Sequence, residues 1–238
     1  VISLSQNSFT HSEVCSFVRT WYPRSLAAND CLTPEEEFLC ELAQGEGGVC
    51  EDVFNKCSLR GISCNSNGDI EALYLYYWGL SGTIPSSIGN LQYLSAIYLN
   101  NNEFHGTIPS SIGSLTNLKE LSLSSNQLIG SLSFVFSLTS LSYLDLGSNS
   151  FNGTIPVSLG VMTKLEVLNL ESNSLFGSIP MTVLDTLPML SMLRLSGNNI
   201  TFSSNSRDEF CSEPRSLQLY FSFQDAAECS IVEIPFLC

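Results

Sequence analysis

One phrase recurs along this chain at a nearly constant interval. Ser-Gly-Thr-Ile-Pro-Ser-Ser-Ile-Gly, which begins at Ser81, returns as His-Gly-Thr-Ile-Pro-Ser-Ser-Ile-Gly after 24 residues. An aliphatic ladder extends the period to six copies, spaced by 23 to 25 residues, which begin at Ile70, Leu94, Leu118, Leu141, Leu165 and Leu190. Such a period indicates a repeat architecture, in which each copy forms one structural unit that stacks on its neighbours.

Each copy opens with the pattern L-x-x-L-x-L-x-x-N, as at Leu165, Leu168, Leu170 and Asn173. The alternation predicts a short strand whose leucines point inward and whose intervening residues point outward. One such strand cannot bury its own apolar face, so neighbouring copies must pair their strands into a sheet. We therefore predict a right-handed solenoid with parallel strands near residues 72–76, 96–100, 120–124, 143–147, 167–171 and 192–196.

Three further columns repeat in register with the leucines. An asparagine marks the end of most strands and can satisfy backbone groups of adjacent coils (Asn102, Asn126, Asn149, Asn173 and Asn198). A glycine permits a tight turn (Gly82, Gly106, Gly130, Gly153 and Gly177), and a proline holds the return path extended (Pro85, Pro109, Pro156 and Pro180). The third copy lacks the proline and one residue, which predicts an irregularity at residues 134–138 that Phe134 or Phe136 fills.

The full motif, L-x-x-L-x-L-x-x-N-x-L-x-G-x-I-P, resembles the plant-type leucine-rich repeat of receptor-kinase ectodomains and polygalacturonase-inhibiting proteins. The resemblance covers residues 70–203 and reaches back to "CSLRGISC" at residues 57–64, which is similar to the family's cap element but lacks its tryptophan. It implies an α/β repeat fold with a concave parallel sheet, and binding of proteins, peptides or small ligands without catalysis. Residues 1–69 would form a cysteine-rich N-terminal cap, and residues 204–238 a C-terminal cap.

All nine cysteines lie outside the repeats, near the two ends of the chain. Solenoid ends need caps, and disulfides stabilise small caps that lack a core of their own. This distribution predicts an oxidising, extracellular or cell-surface location. Zinc is a poor alternative, because the sequence has no C-x2-C pair and only two histidines.

The pairing of these cysteines is only partly predictable. The family resemblance implies a bond between Cys57 and Cys64, and a second one between Cys229 and Cys238 that would leave Cys211 unpaired. Alternatively, Cys211 pairs with Cys229. Nearest-neighbour pairing would join Cys15 to Cys31 and Cys40 to Cys50, which is one of three arrangements for four cysteines.

Charge and composition exclude some classes of binding partner. The formal net charge is −14 without a basic patch, which disfavours nucleic acid and anionic lipid surfaces. No run of 18 apolar residues is present, so we expect no direct membrane insertion, and we expect residue 1 to follow a cleaved signal. In a secreted chain, Asn152 and Asn199 would be glycosylation sites, because each begins an N-x-T sequon.

Catalytic signals are weak. The sequence has no G-x-S-x-G elbow. Its two histidines, His11 and His105, leave few candidates for a general base. Glu120, Asp145 and Glu171 project from successive predicted strands, but such a row is more typical of a solvated face. No EF-hand spacing indicates calcium, so we expect neither a metal nor another cofactor.

The outward positions of the predicted strands give a candidate binding face. Its first part is rich in tyrosine, which is enriched in protein-binding hot spots; the alternative is that these rings only cover the junction with the cap. The candidate binding residues are Tyr74, Tyr76, Tyr98, Tyr143, Asp145, Glu171 and Arg194. We predict non-catalytic recognition of a protein or peptide ligand on this concave face.

Two other functions remain open from the sequence. A column of small hydroxyl residues on the return side would suit ice or polysaccharide binding (Thr83, Thr107, Ser131, Thr154 and Ser178). Six coils span only about 29 Å at the usual strand spacing, which also fits a structural component of a larger extracellular assembly.

Overall fold

The computed structural model describes residues 38–39, 42, 56–178, 186–201 and 218–220. Within them, two ribbons of short strands run the length of a solenoid. The larger sheet contains β1 (Ile62–Cys64), β2 (Ile70–Tyr74), β4 (Ala96–Tyr98), β6 (Glu120–Ser122), β8 (Tyr143–Asp145), β10 (Val167–Asn169), β12 (Met192–Arg194) and β14 (Gln218–Tyr220). The smaller one contains β3 (Ser81–Gly82), β5 (Glu103–Thr107), β7 (Gln127–Gly130), β9 (Ser150–Gly153), β11 (Ser174–Ser178) and β13 (Asn199–Thr201).

The strands of the larger sheet, hereafter the concave sheet, are parallel from β2 to β14. This confirms the predicted pairing of all six copies, although the strands from β4 to β12 end two residues earlier than predicted. The reason lies just beyond them: in five coils a non-glycine residue adopts a positive φ and turns the chain away (Tyr77, Asn101, Ser125, Ser148 and Ser172). β14 lies in the segment assigned to the C-terminal cap and continues the same sheet.

The core is the stacked leucine ladder. In each coil the inward strand residues are almost fully buried, as at Leu121, Leu144 and Leu168, and Phe104 and Phe151 fill the space behind them. Each such side chain contributes about 1.5–3 kcal/mol when it leaves water. The outward residues are not part of this hydrophobic cluster, and they differ from one coil to the next.

The asparagine column forms a second spine inside the solenoid. The side-chain amide of Asn102 donates to the carbonyls of Leu75 (2.8 Å) and Leu99 (2.9 Å), while its oxygen accepts from the backbone N–H of Leu80 (3.0 Å). Equivalent bonds recur at Asn126, Asn149, Asn173 and Asn198. Because each asparagine bridges its own coil and the one before it, buried backbone groups are satisfied at every turn.

The return path also follows the predicted columns. Gly106 has a φ of +76°, and a Cβ there would lie 3.1 Å from the methyl carbon of Thr83. Pro85 is extended (φ −63°, ψ 141°) and precedes a 3-10 helix at Ser86–Asn90. In the third copy the corresponding 3-10 helix, Leu132–Ser137, is one residue longer, and Phe134 packs against the core. The predicted irregularity is therefore present, with Phe134 as one of its filling residues.

A hairpin closes the N-terminal end of the concave sheet. β1 pairs antiparallel with β2, and Cys57 and Cys64 form the predicted disulfide, with 5.6 Å between their Cα atoms. Trp78 stands where later coils have the ladder asparagine; its ring packs beside Gly61. The other proposed disulfide cysteines lie outside the described residues: Cys15, Cys31, Cys40, Cys50, Cys229 and Cys238. In the described part of the chain, no helix has the length and apolarity to cross a membrane.

Candidate functional site: the tyrosine face

Five tyrosines lie on β2, β4 and β8 of the concave sheet or in the turn after β2, and we call this surface the tyrosine face: Tyr74, Tyr76, Tyr77, Tyr98 and Tyr143. The positions of Tyr74, Tyr98 and Tyr143 follow from the alternation of each strand, which points every second side chain away from the core. Tyr76 and Tyr77 lie in the turn after β2. Tyr76 and Tyr77 are exposed, with 48% and 71% of their surface accessible. Tyr98 and Tyr143 are half-buried.

Three of these rings form a continuous row across four strands. Tyr74 and Tyr98 stack with ring centroids 5.6 Å apart and an interplanar angle of 22°. Tyr98 and Tyr143 lie 6.5 Å apart at 30°, although β6 separates their strands. On β6 the residue in register with Tyr98 is the small, buried Ser122. A small residue at this point leaves room for the two larger rings to approach above it.

A carboxylate holds the central ring in place. The hydroxyl of Tyr98 donates a hydrogen bond of 2.5 Å to Glu120. Burial raises the pKa of Tyr98 well above its ordinary value, and the bond to Glu120 and the charge of that carboxylate raise it further. The pKa of Tyr143 is raised by burial and by the negative charge of Asp145, while Arg194 opposes this shift. Both phenols therefore remain neutral donors at physiological pH.

Asp145 is itself fixed by the sheet. One carboxylate oxygen accepts from the Ser124 hydroxyl at 2.8 Å, and the other accepts from the backbone N–H of Gly147 at 3.1 Å. These bonds restrain its side chain, so the centre of the face is preorganised. Preorganisation reduces the conformational entropy that a partner's binding must overcome.

Tyr76 and Tyr77 lie in the turn just beyond the end of β2. Their rings meet edge to face, with centroids 6.3 Å apart. Tyr77 has a φ of +59°, a conformation in which a bulky residue is a steric outlier. The equivalent residue is Asn101 in the next coil and a serine or glycine in later ones. The backbone of Tyr77 is therefore held in a strained conformation, while most of its side chain is exposed to solvent.

The sequence-derived candidates fall into two groups. Tyr74, Tyr98, Tyr143 and Asp145 lie on β2, β4 and β8, Tyr76 lies in the turn after β2, and together they form one surface. Glu171 and Arg194 lie further along the sheet, on or just after β10 and β12. The sequence-derived candidates did not include Glu120 or Tyr77. The available signal for Glu120 was its outward position on the strand beside Tyr98. The available signal for Tyr77 was a bulky residue in a turn.

A second surface lies on the return side. A groove of about 700 Å³ is bordered by Thr83, His105 and Thr107. All five residues of the predicted hydroxyl column are exposed: Thr83, Thr107, Ser131, Thr154 and Ser178. Among the described residues, no group of three or more potential ligands is placed to bind a metal ion.

Comparison with known proteins identifies the class. The family model "Leucine-rich repeat region" matches residues 53–235. The chain therefore belongs to the leucine-rich repeat family, as its motif, its parallel sheet and its asparagine spine indicate. No curated protein sequence matches the chain.

Within that class, the chain is similar to solved structures of plant receptor ectodomains and of a plant ice-binding protein. The SOBIR1 receptor-kinase ectodomain of Arabidopsis thaliana matches with a TM-score of 0.63 and 27% identity, over 74% of this chain and 99% of that one. The Arabidopsis receptor kinase HAESA, solved with the peptide hormone IDA and the co-receptor SERK1, gives 0.63 and 31%, over 71% of this chain and 28% of that one. A plant ice-binding protein gives 0.58 and 28%, over 72% and 58%.

Proposed function

We propose that this protein is an extracellular, non-catalytic recognition module that binds a protein or peptide on the tyrosine face. One observation carries the proposal: three tyrosine rings form a preorganised row across four strands, from β2 to β8. The exposed Tyr76 and Tyr77 follow in the turn after β2. Tyrosine buries a large area at a low cost in rotamer entropy and keeps a hydrogen-bonding hydroxyl. A partner can bury such rings without any change to the scaffold beneath them.

The structural relatives support this kind of function. HAESA was solved with a peptide hormone and a co-receptor, and this chain resembles a part of that assembly over 71% of its own length. The chain spans only 28% of the HAESA-complex chain that it matches, so the partner and the signalling role of that protein do not transfer as a whole. What transfers is the use of a leucine-rich-repeat surface for peptide or protein binding.

The negative charge of the chain favours one kind of partner. Glu120 and Asp145 lie among the rings, and the whole sequence carries a formal charge of −14. We expect a partner with a positively charged contact surface, because complementary charge accelerates association. Raising the salt concentration should then slow association and leave dissociation nearly unchanged.

Site-specific cross-linking tests the proposal. A photoreactive phenylalanine derivative replaces Tyr76 in the full chain, and irradiation in the native extracellular fluid traps whatever contacts the face. The matched control carries the same group at Tyr93, which is similarly exposed (56%) but lies in the turn that precedes β4. We expect one stoichiometric protein or peptide from position 76 and not from position 93. Equal labelling from both positions contradicts the proposal, and a regular lattice of partners favours a structural role.

Ice binding is a second candidate, and one observation favours it. The hydroxyl column on the return side is exposed throughout, and a plant ice-binding protein is among the structural relatives. If this is the activity, the purified chain inhibits ice recrystallisation, and replacing Thr83 and Thr107 by alanine abolishes the inhibition. In that case alanine at Tyr76 has no effect.

A further inference from the structure

Phe176 is an exposed aromatic residue on the outer side of the smaller sheet. Half of its surface (50%) is accessible, because β11 alternates and points this ring away from the core. The equivalent residue in other coils is mostly polar: Ser81, His105, Asn152 and Thr201, with Ile129 as the exception. A single exposed ring is ordinary on a protein surface; the neighbours of Phe176 distinguish it.

Both glycosylation sequons of the chain flank this ring. Asn199 on β13 is the direct in-register partner of Phe176. Asn152 on β9 is in register with Ser174, so it lies diagonally across from Phe176. Both asparagines and both sequon threonines, Thr154 and Thr201, are exposed.

We propose that Asn199 and Asn152 carry N-linked glycans and that Phe176 is the platform against which the first sugar at Asn199 packs. Neighbouring strands lie about 4.8 Å apart, so the sugar attached to the Asn199 amide begins beside the ring. The faces of an aromatic ring are electron-rich and attract the polarised C–H groups on the apolar face of a pyranose. Asn152 is further away, at a diagonal distance of about 7–8 Å, so its sugar covers the ring less completely.

The modification is an ordinary group transfer. The side-chain amide nitrogen of the asparagine attacks the anomeric carbon of a lipid-pyrophosphate-linked oligosaccharide. The new N–C bond forms as the C–O bond to pyrophosphate breaks, the lipid pyrophosphate leaves with the bonding electrons, and the amide gives up one proton to a base. The hydroxyl of the threonine two residues later marks the acceptor site, and neither middle residue, Gly153 or Ile200, is a proline.

A thermal double-mutant cycle tests the platform. The full chain is secreted from plant or insect cells behind a signal sequence as four proteins: the parent, F176A, N199Q and F176A/N199Q. Glycopeptide mass spectrometry measures sugar occupancy at both asparagines. We expect both sites to be occupied in the parent, and F176A to lower the melting temperature of the glycosylated protein by roughly 2 °C more than that of the N199Q protein.

Two matched controls test whether the coupling is specific to Phe176 and Asn199. Val157 is more exposed than Phe176 (69%) and lies on the 3-10 helix Val157–Val161, not on a strand of the smaller sheet. V157A should shift the melting temperature equally in glycosylated and N199Q proteins. Coupling of F176A to N152Q should be smaller than coupling to N199Q, because Asn152 is only a diagonal neighbour.

Each outcome decides a stated part of the inference. Absence of sugar at both asparagines overturns it entirely. Occupied sites with no coupling between Phe176 and Asn199 overturn the platform and leave only the modification. The inference relies on the secretory location that belongs to the proposed function, but the heterologous signal sequence supplies that location here. A failure of partner binding at the tyrosine face would therefore leave these results unchanged.

Discussion

The first and the later strands of the concave sheet share one backbone plan but present different surfaces. β2 and β4 place Tyr74 and Tyr98 at the central outward position, whereas β10 and β12 place Asn169 and Arg194 there. The inward residues of both groups of strands are buried aliphatic side chains, and the asparagine spine runs through both. The columns that repeat therefore carry the fold, and we propose that the columns that vary carry the recognition surface.

The largest expected effect comes from breaking a column that repeats. Replacing the buried Asn102 by alanine removes the side-chain partner of the backbone N–H groups of Trp78 and Leu80 and of the carbonyl of Leu75. The carbonyl of Leu99 keeps its bond from Asn126. We expect the free energy of unfolding to fall by about 3 kcal/mol or more, since each buried unsatisfied group costs about 1–3 kcal/mol. Urea denaturation measures this change.

Asn117 provides the control for that substitution. It is exposed and donates one hydrogen bond of 3.1 Å to the carbonyl of Gln92. Alanine at this position should cost less than about 1 kcal/mol, because water can replace the lost bond. Equal losses at the two positions would contradict the idea of an internal asparagine spine.

A smaller effect of opposite sign is expected at Tyr77, in a column that varies. Replacing it by asparagine, the residue in the equivalent position of the next coil, relieves the cost of a positive φ for a bulky side chain. We expect a gain of about 1 kcal/mol in the free energy of unfolding, measured in the same denaturation assay. Asparagine at the neighbouring Tyr76 should give no gain, and a loss of stability in the Tyr77 variant would remove the evidence for strain.

The smallest effect is a pH dependence. Burial and Glu120 raise the pKa of Tyr98 above its ordinary value of 10.0, so the folded state disfavours the ionised phenol. The associated stability is fully present below pH 10 and is lost as the pH rises from there through the higher folded-state pKa. Comparing the parent with Y98F by thermal denaturation between pH 8 and 11 should show a shallower decline for the variant. An identical decline in both proteins would show that Tyr98 does not contribute.

The structure of the repeated positions was predictable because each column of equivalent residues has one physical role. The starts of five strands, the buried asparagines and the positive-φ glycines all followed from the spacing alone. The family resemblance added the Cys57–Cys64 bond. The strand ends were less predictable, since residues such as Asn101 and Ser125 turn the chain in a conformation that their side chains do not require.

The arrangement of side chains in the candidate site was much harder to predict from the sequence. The outward direction of Tyr98 follows from alternation, but its bond to Glu120 on the next strand depends on side-chain rotamers. Its approach to Tyr143 also needs the small Ser122 between them, a cross-strand relation that no single repeat contains. β14 (Gln218–Tyr220) was missed because only the L-x-L part of the motif occurs there, at Leu217 and Leu219, without the asparagine and the G-x-I-P phrase that follow in most earlier copies.

The most direct test of recognition by the tyrosine face is the dissociation constant of the cross-linked partner for two matched variants. Y76A removes an exposed ring from the face, and Y93A removes a similarly exposed ring elsewhere. We predict that Y76A weakens binding about 30-fold, which corresponds to about 2 kcal/mol for a hot spot, while Y93A leaves it unchanged and both proteins unfold like the parent. Parent-like affinity in Y76A, or an equal loss in Y93A, would contradict a binding site on the tyrosine face.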